Sequence, residues 1–192
     1  MPVPVAIVPA AGRASRFGGG KLLAPLAGRP LIHHTIAALL DAGIRRVVLV
    51  QSPGTVWSGV PIVDDDRVTL VVNAEPDRGM FSSIQTGLAE ADGDPIVILP
   101  GDMPFVAPMT ISIVVDAARM ADEPIVAAHG GRRGHPLALP GRLRADLLQM
   151  DARQSLRGAL ASLGSVPRAI DVDDEGVLRD VDVPGDLPRA KA

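Results

Sequence analysis

The 192-residue chain contains no cysteine and very few aromatic residues. Without cysteine it can form no disulfide bond, no thiolate metal site and no cysteine nucleophile. Aromatic residues make up only 2% of the sequence, although hydrophobic residues make up 47%. We therefore expect a sizeable core built from valine, isoleucine, leucine and alanine. The length suits a single domain, residues 1–192.

The chain also lacks an excess of positive charge, since it has 19 basic and 22 acidic residues and a formal net charge of −3. It has no basic stripe interleaved with aromatic residues, which argues against a nucleic-acid partner. No apolar stretch is long enough to span a bilayer. The first residues lack the charged segment that precedes the apolar part of a signal peptide. We therefore expect a cytoplasmic protein with no membrane partner.

Apolar runs alternate with segments of helical periodicity along most of the chain. The apolar runs predict buried strands at residues 3–8, 47–50, 68–72, 95–99 and 125–128, with two late strands at 169–172 and 177–183. Helical spacing predicts helices at residues 31–42, 80–90, 108–120, 142–150 and 155–163. This alternation is typical of βαβ units, so we expect an α/β protein with a mostly parallel sheet.

A loop rich in glycine and basic residues, residues 9–21, follows the first predicted strand. Glycine lets the backbone approach a ligand closely, and successive backbone amides in such a loop suit an anion. Arg13, Arg16 and Lys21 add positive charge to the same loop. The expected ligand is a triphosphate, and the alternative is a flexible loop whose cations are solvated.

Two common phosphate-binding motifs do not fit this loop. A P-loop needs a glycine five residues before Gly20 and a serine or threonine after Lys21, but those positions hold Ser15 and Leu22. The dinucleotide pattern G-x-G-x-x-G is also missing. The pattern present is A-A-G-x-x-x-R-x-G-x-x-K.

Acidic residues follow two of the predicted strands. Asp102 lies just past the strand at residues 95–99, at the edge where open α/β sheets bind ligands. A carboxylate there is placed to hold Mg²⁺ against a phosphate, and the alternative is an aspartate in a tight turn. Asp180 and Asp182 lie two residues apart in the last predicted strand, and so on one face of it. The acidic run at residues 64–66 is expected to be a solvated turn.

Two further polar groups are candidates for ligand contacts. Ser82 and Ser83 fall in the first turn of the helix at residues 80–90, where free amides and the helix dipole favour anions or polar ligands. Plain N-capping explains one of these serines. Arg132 and Arg133 are expected at the tip of a hairpin, where they suit an anionic second substrate or form an exposed basic turn.

Four segments together resemble the molybdenum cofactor nucleotidyltransferases, and most closely the cytidylyltransferase branch. The segments are the loop A-A-G-x-x-x-R-x-G-x-x-K, the run from Asn73 through Gly-Met-x-Ser-Ser, Gly-Asp-Met-Pro with Gly-His-Pro, and Asp-Val-Asp-Val-Pro. Gly-Met-x-Ser-Ser at residues 79–83 and Gly-His-Pro at residues 134–136 are typical of that branch. The guanylyltransferase branch usually has Gly-Pro-Leu-Ala-Gly at the first of these two positions.

The resemblance implies a Rossmann-like three-layer nucleotidyltransferase fold and a Mg²⁺-dependent reaction. A nucleoside monophosphate, in the first place CMP from CTP, would move to the terminal phosphate of a molybdopterin-type cofactor, with release of pyrophosphate. A molybdoenzyme or its chaperone would be a transient partner. Carried over by residue, the resemblance implies catalytic roles for Arg16, Lys21 and Asp102, Mg²⁺ ligands Asp102 and Asp182, nucleotide contacts from Ala10, Ala11, Gly12, Arg13, Lys21, Asn73, Ser82 and Ser83, and acceptor contacts from Arg132, Arg133 and His135.

The chain departs from the family pattern at Pro9, Ala74 and Phe81, where leucine, proline and a small residue are usual. These changes leave the choice of nucleotide and acceptor open. The alternatives are a sugar- or alcohol-phosphate nucleotidyltransferase, a nucleotide-dependent oxidoreductase on a Rossmann-like frame, and a module that binds a cofactor without catalysis.

Overall fold

The computed structural model describes residues 3–12 and 20–186. Within these ranges the chain forms nine β-strands and five α-helices. The strands are β1 Val5–Pro9, β2 Pro25–Leu26, β3 Arg29–Pro30, β4 Val47–Gln51, β5 Val68–Val72, β6 Ile96–Ile98, β7 Ile125–His129, β8 Arg132–Leu139 and β9 Arg168–Asp171. The α-helices are α1 Leu31–Asp41, α2 Met80–Glu90, α3 Pro108–Ala121, α4 Arg144–Leu148 and α5 Leu156–Ser162.

Seven of the strands form one sheet in the order β5-β4-β1-β6-β8-β7-β9. Strand β1 pairs in parallel with β4 and β6, and β4 pairs in parallel with β5. Strand β8 is antiparallel to both β6 and β7, and β9 is parallel to β7. The sheet is therefore mostly parallel, with β8 alone reversed, and the expected Rossmann-like α/β fold is confirmed.

Both faces of the sheet are covered by helices, which explains why the strands are continuously apolar. Side chains alternate between the faces along β1: Ala6 and Val8 pack in the core beneath α1 and α3, whereas Val5 and Ile7 pack beneath α2, α4 and α5. The core consists almost entirely of aliphatic side chains, as the composition predicts.

The parallel strands β5, β4, β1 and β6 bring their carboxyl ends to one edge of the sheet. The loops that begin there start at Asn73, Ser52, Ala10 and Leu99, respectively. Because ligands of open α/β sheets bind outside this edge, the fold collects four loops where a site is expected. In the described ranges no helix is both long enough and apolar enough to cross a membrane.

Most sequence-based boundaries are confirmed to within two residues at each end, but the strand predicted at residues 177–183 is wrong. Residues Glu175–Leu178 form a 3₁₀-helix, and the chain then continues without pairing in the sheet. Its glycine, Gly176, packs directly against the backbone oxygen of Phe105, where a side chain would overlap that oxygen. The segment therefore lies against the loop that follows β6 instead of extending the sheet.

The predicted hairpin is confirmed, but its tip is not where the arginines lie. Gly130 and Gly131 make the turn, with φ angles of +55° and +75° that favour glycine. Arg132 and Arg133 are the first residues of β8, and Arg132 pairs with His129 of β7. Both arginines are exposed.

Candidate active site at the carboxyl edge of the sheet

A cavity of about 530 Å³ opens at the carboxyl edge of β1, β4 and β6. Its described walls come from the ends of these strands and from the start of α2. The lining residues are Pro9, Ala10, Ala11, Gly12, Gly20, Lys21, Leu22, Leu23, Ser52, Thr55, Trp57, Pro76, Gly79, Met80, Ser83, Pro100 and Asp102. A concave site of this size with few polar groups is typical of small-molecule binding.

Lys21 lies at one side of this cavity and contacts two aspartates. Its Nζ donates hydrogen bonds to Asp102 Oδ2 at 2.8 Å and to Asp182 Oδ1 at 2.9 Å. Lys21 is only 8% exposed. Burial lowers the pKa of Lys21, but hydrogen bonds and attraction to the two carboxylates outweigh it and raise the pKa above 10.5. Lys21 is therefore a charged ammonium at neutral pH.

Three carboxylates meet beside Lys21, because Asp102, Asp180 and Asp182 offer oxygen atoms that all lie within 4.8 Å of one another. A backbone hydrogen bond of 2.9 Å from Val181 N to Asp102 O holds the two segments together. The strand expected to carry Asp180 and Asp182 does not form, yet both residues reach Asp102. Asp186 Oδ2 fixes the same turn by accepting from the backbone amides of Asp182 and Val183 at 2.7 and 2.8 Å.

The donor set fits a hard divalent cation. Mg²⁺ prefers oxygen ligands and is usually held by one or two carboxylates together with substrate phosphates. The ammonium of Lys21 lies within hydrogen-bond distance of both Asp102 and Asp182, so the space between them accepts a cation. The carboxylates in this part of the chain therefore have the chemistry that the implied metal ion requires.

His135 of β8 lies near the carboxylates and is half-buried. Burial lowers the pKa of His135, and the Ile98 backbone and the charges of Asp102 and Asp180 offset only part of this effect. Among the described residues, its buried Nδ1 atom has no hydrogen-bond partner. A neutral imidazole with one buried, unpaired nitrogen thus lies beside the acidic cluster. Arg132 and Arg133 are not among the described residues that line the cavity.

Asn73, Ser82 and Ser83 form a buried hydrogen-bonded group. Asn73 Nδ2 donates to Ser82 Oγ at 2.9 Å and to Ser83 Oγ at 3.0 Å, while Ser82 Oγ donates to Gly79 O at 2.7 Å. Of the three residues, only Ser83 lines the cavity. The other two lie behind its wall and hold the turn at Gly79, whose φ is +104°.

The loop after β1 forms the floor of the cavity through Ala10, Ala11 and Gly12. Ala10 N donates to Val50 O at 2.8 Å, and Ser52 Oγ donates to Ala11 O at 2.7 Å. These bonds tie the loop to the end of β4. Arg13 and Arg16, the two arginines predicted to contact the nucleotide, lie outside the described residues.

The segment after β4 is the part of the site that the sequence analysis missed. Ser52, Thr55 and Trp57 all line the cavity. Prolines and glycines at residues 53–61 indicated only an irregular connection. The topology supplies the signal instead, because β4 ends at the same sheet edge as β1.

Comparisons with known proteins find a matching family and several similar proteins. Residues 6–166 match the family described as MobA-like NTP transferase domain. The chain is 34% identical over 179 residues to bifunctional protein GlmU of Rhodospirillum rubrum, covering 90% of this chain and 38% of that protein. It is 31% identical over 170 residues to the probable molybdenum cofactor guanylyltransferase of Thermococcus sibiricus, covering 86% of this chain and 80% of that protein.

Among solved structures, a nucleotidyl transferase from Methanothermobacter thermautotroptrophicus superposes with a TM-score of 0.76 at 26% identity. The match covers 96% of this chain and 94% of that chain. By contrast, the present chain spans only 38% of the length of the Rhodospirillum rubrum GlmU.

Proposed function

Because the chain belongs to the MobA-like NTP transferase family, we propose that it transfers a nucleoside monophosphate from an NTP to a phosphate-bearing acceptor and releases pyrophosphate. One observation carries the proposal: Lys21 and Asp102 line a cavity that is large enough for a nucleotide, and Asp182 contacts the same Lys21 ammonium. Such a pairing of one buried cation with carboxylates suits a metal-assisted reaction of a polyanion.

The reaction needs positioning and charge neutralisation more than covalent help from the protein. One oxygen of the acceptor phosphate bonds to the α-phosphorus, and the bond from that phosphorus to the bridging oxygen breaks. Pyrophosphate leaves with the electron pair. Because the acceptor phosphate is already ionised, no side chain is needed as a general base, and we give His135 no such role.

Asp102 and Asp182 would hold a divalent cation, which would neutralise negative charge that develops on the phosphates. In this proposal Lys21 binds the β- or γ-phosphate once a triphosphate is present. The floor from Ala10 to Gly12 presents a backbone that lies close to the ligand, and Ser83 provides a hydroxyl on the wall. Arg16 keeps the triphosphate-binding role, and Arg13 the nucleotide contact, that the resemblance implies.

For the finer specificity we propose CTP as donor and a molybdopterin-type phosphate as acceptor. Support comes from Gly79-Met80 with Ser82-Ser83, and from the Gly-His-Pro segment that contains His135 beside the acidic cluster. A sugar- or alcohol-phosphate acceptor is the second candidate. The name of the Thermococcus sibiricus relative makes GTP the competing donor.

Thermal stabilisation by CTP, GTP, ATP, UTP and NAD(P)H, each with and without Mg²⁺, tests the proposal. A ligand that binds only the folded state raises the melting temperature by mass action. We expect the largest shift with CTP and Mg²⁺ together. The largest shift with GTP would remove the cytidylyltransferase assignment, and a shift with NAD(P)H alone, independent of Mg²⁺, would contradict the transferase proposal.

A further inference from the structure

We propose that Trp57 is the surface on which the nucleobase stacks, and hence a residue that determines donor affinity. The inference rests on the proposed function, because it takes the cavity ligand to be a nucleotide. Trp57 is the only tryptophan in the chain and the only aromatic residue among the described residues that line the cavity.

The sheet order puts the segment that carries Trp57 on the opposite side of β1 from the segment that carries Asp102. Asp102 follows β6, and Trp57 follows β4, and these strands flank β1 on opposite sides. Two strand spacings separate their ends, which is about 10 Å. With the phosphates held at Lys21 and Asp102, a nucleotide laid along this edge brings its base toward the end of β4.

The indole is held in place by contacts within the protein. Its Nε1–H donates to Gln51 Oε1 at 2.6 Å, and the half-buried ring packs against the aliphatic core beneath α1. The bond from Ser52 Oγ to Ala11 O ties this segment to the cavity floor. A ring held in this way loses little freedom on binding, which favours affinity.

Stacking on an aromatic face suits any base, so Trp57 would contribute affinity to all nucleotides and leave the choice among them to polar groups. The other apolar and hydroxyl-bearing side chains that line the cavity include Leu22, Leu23 and Thr55. Among the described residues that line the cavity, none besides Trp57 carries an aromatic ring. Loss of the ring should therefore weaken nucleotide binding roughly tenfold to a hundredfold.

The single tryptophan makes the test direct, because all indole fluorescence comes from Trp57. The probes are CTP and inorganic tripolyphosphate, each with Mg²⁺, and their binding is measured in parallel by calorimetry. We expect CTP to quench the fluorescence and tripolyphosphate to bind with little quenching. Trp57→Leu should weaken CTP binding and leave tripolyphosphate binding unchanged, whereas Trp57→Phe should retain most of the CTP affinity.

Val56 is the exposed neighbour of Trp57, and Val56→Ala is the matched control. It should change the binding of neither CTP nor tripolyphosphate. If CTP binds the unaltered protein without quenching its fluorescence, and binds Trp57→Leu with the same affinity, the stacking inference is wrong and the transferase proposal stands. If no nucleotide binds the unaltered protein, the transferase proposal itself fails. Quenching of the unaltered protein keeps the inference testable even if Trp57→Leu does not fold.

An independent observation concerns Lys21, and from it we infer that this side chain occupies the metal position in the nucleotide-free protein. The ammonium contacts Asp102 and Asp182, the carboxylates proposed as metal ligands, at 2.8 and 2.9 Å. An ammonium and a divalent cation cannot share that space, because their charges repel at such short range. The inference also rests on the proposed function.

A triphosphate would offer Lys21 an alternative anionic partner and draw its ammonium away from both carboxylates. Binding of the nucleotide and of the metal ion would then favour each other, since each removes an obstacle to the other. Lys21 would thus delay metal binding until the substrate arrives.

The exchange of the Lys21 ammonium for a metal ion between these carboxylates is tested by titrating Mn²⁺ without nucleotide. Electron paramagnetic resonance measures the bound Mn²⁺. Lys21→Met should bind Mn²⁺ roughly tenfold more tightly than the unaltered protein, because the competing ammonium is gone. Arg179→Met removes a nearby exposed cation that lies over the Phe105 ring, and it should have a much smaller effect.

Equal or weaker Mn²⁺ binding by Lys21→Met would overturn the exchange. The variant Asp102→Asn tests separately whether the proposed metal ligands are right. If that variant binds Mn²⁺ as tightly as the unaltered protein does, the proposed metal ligands are wrong and the exchange falls with them.

Discussion

At the scale of single residues, Asn73 is a structural partner of two serines. It is 4% exposed, donates to Ser82 and Ser83, and accepts from Glu75 N at 3.0 Å. Asn73→Ala should lower the free energy of unfolding by about 1–3 kcal/mol, because it leaves buried polar groups unpaired. Denaturant unfolding measures this loss. Ser83→Ala should reduce stability less and weaken nucleotide binding instead, and the reverse ranking would contradict these roles.

Asp65 is a second residue whose behaviour the structure predicts. Hydrogen bonds from the Arg67 side chain and backbone lower the pKa of Asp65 to about 2. The stabilisation that this contact gives the folded state is therefore fully present above pH 3.8, the ordinary pKa of aspartate. It is lost as the pH falls toward 2. Arg67→Met should raise the Asp65 pKa toward 3.8 in a carboxyl NMR titration. An unchanged pKa would mean that Arg67 does not hold this carboxylate in solution.

At the scale of elements, Asp174 joins α3 to the 3₁₀-helix at Glu175–Leu178. Its Oδ2 accepts from Ala107 N at 2.9 Å and from Thr110 Oγ1 at 2.7 Å, and its Oδ1 accepts from Gly176 N at 2.9 Å. Asp174→Ala should lower the free energy of unfolding by about 1–3 kcal/mol, since it removes the N-cap of the 3₁₀-helix and the hydrogen bonds that tie this helix to the start of α3. Thermal unfolding measures this loss of stability. Asp173 is exposed, and the control variant Asp173→Ala should unfold at the temperature of the unaltered protein.

Helix α2 packs on β1 through a glycine. A methyl group at Gly87 would overlap Ile7 Cγ2 and lie 3.2 Å from Val50 Cγ2. Gly87→Ala should therefore destabilise the protein by about 1–3 kcal/mol, although alanine favours helix formation. Gly158→Ala in α5 is the matched helical control, because its nearest contact is the Ser155 hydroxyl at 3.3 Å. Similar effects of both changes on urea unfolding would argue against close packing at Gly87.

At the scale of the whole molecule, the alternation of apolar runs and helical segments was enough to predict the α/β architecture. It also placed Asp102 at the functional edge, because that edge follows from strand direction alone. The path of residues 172–183 could not be predicted, since it depends on Gly176 fitting against the Phe105 backbone. Trp57 was missed for a similar reason, as its position depends on sheet order and not on local sequence.

Pyrophosphate release is the measurement that tests the central claim most directly. With CTP, Mg²⁺ and a molybdopterin-type phosphate, the unaltered protein should release pyrophosphate in proportion to nucleotide transferred. Asp102→Asn should lower the rate by about a hundredfold or more and keep the folded structure, because it removes one charged ligand without changing the shape of the side chain. Full activity of Asp102→Asn, or no pyrophosphate release with any nucleotide and phosphate acceptor, would contradict the account.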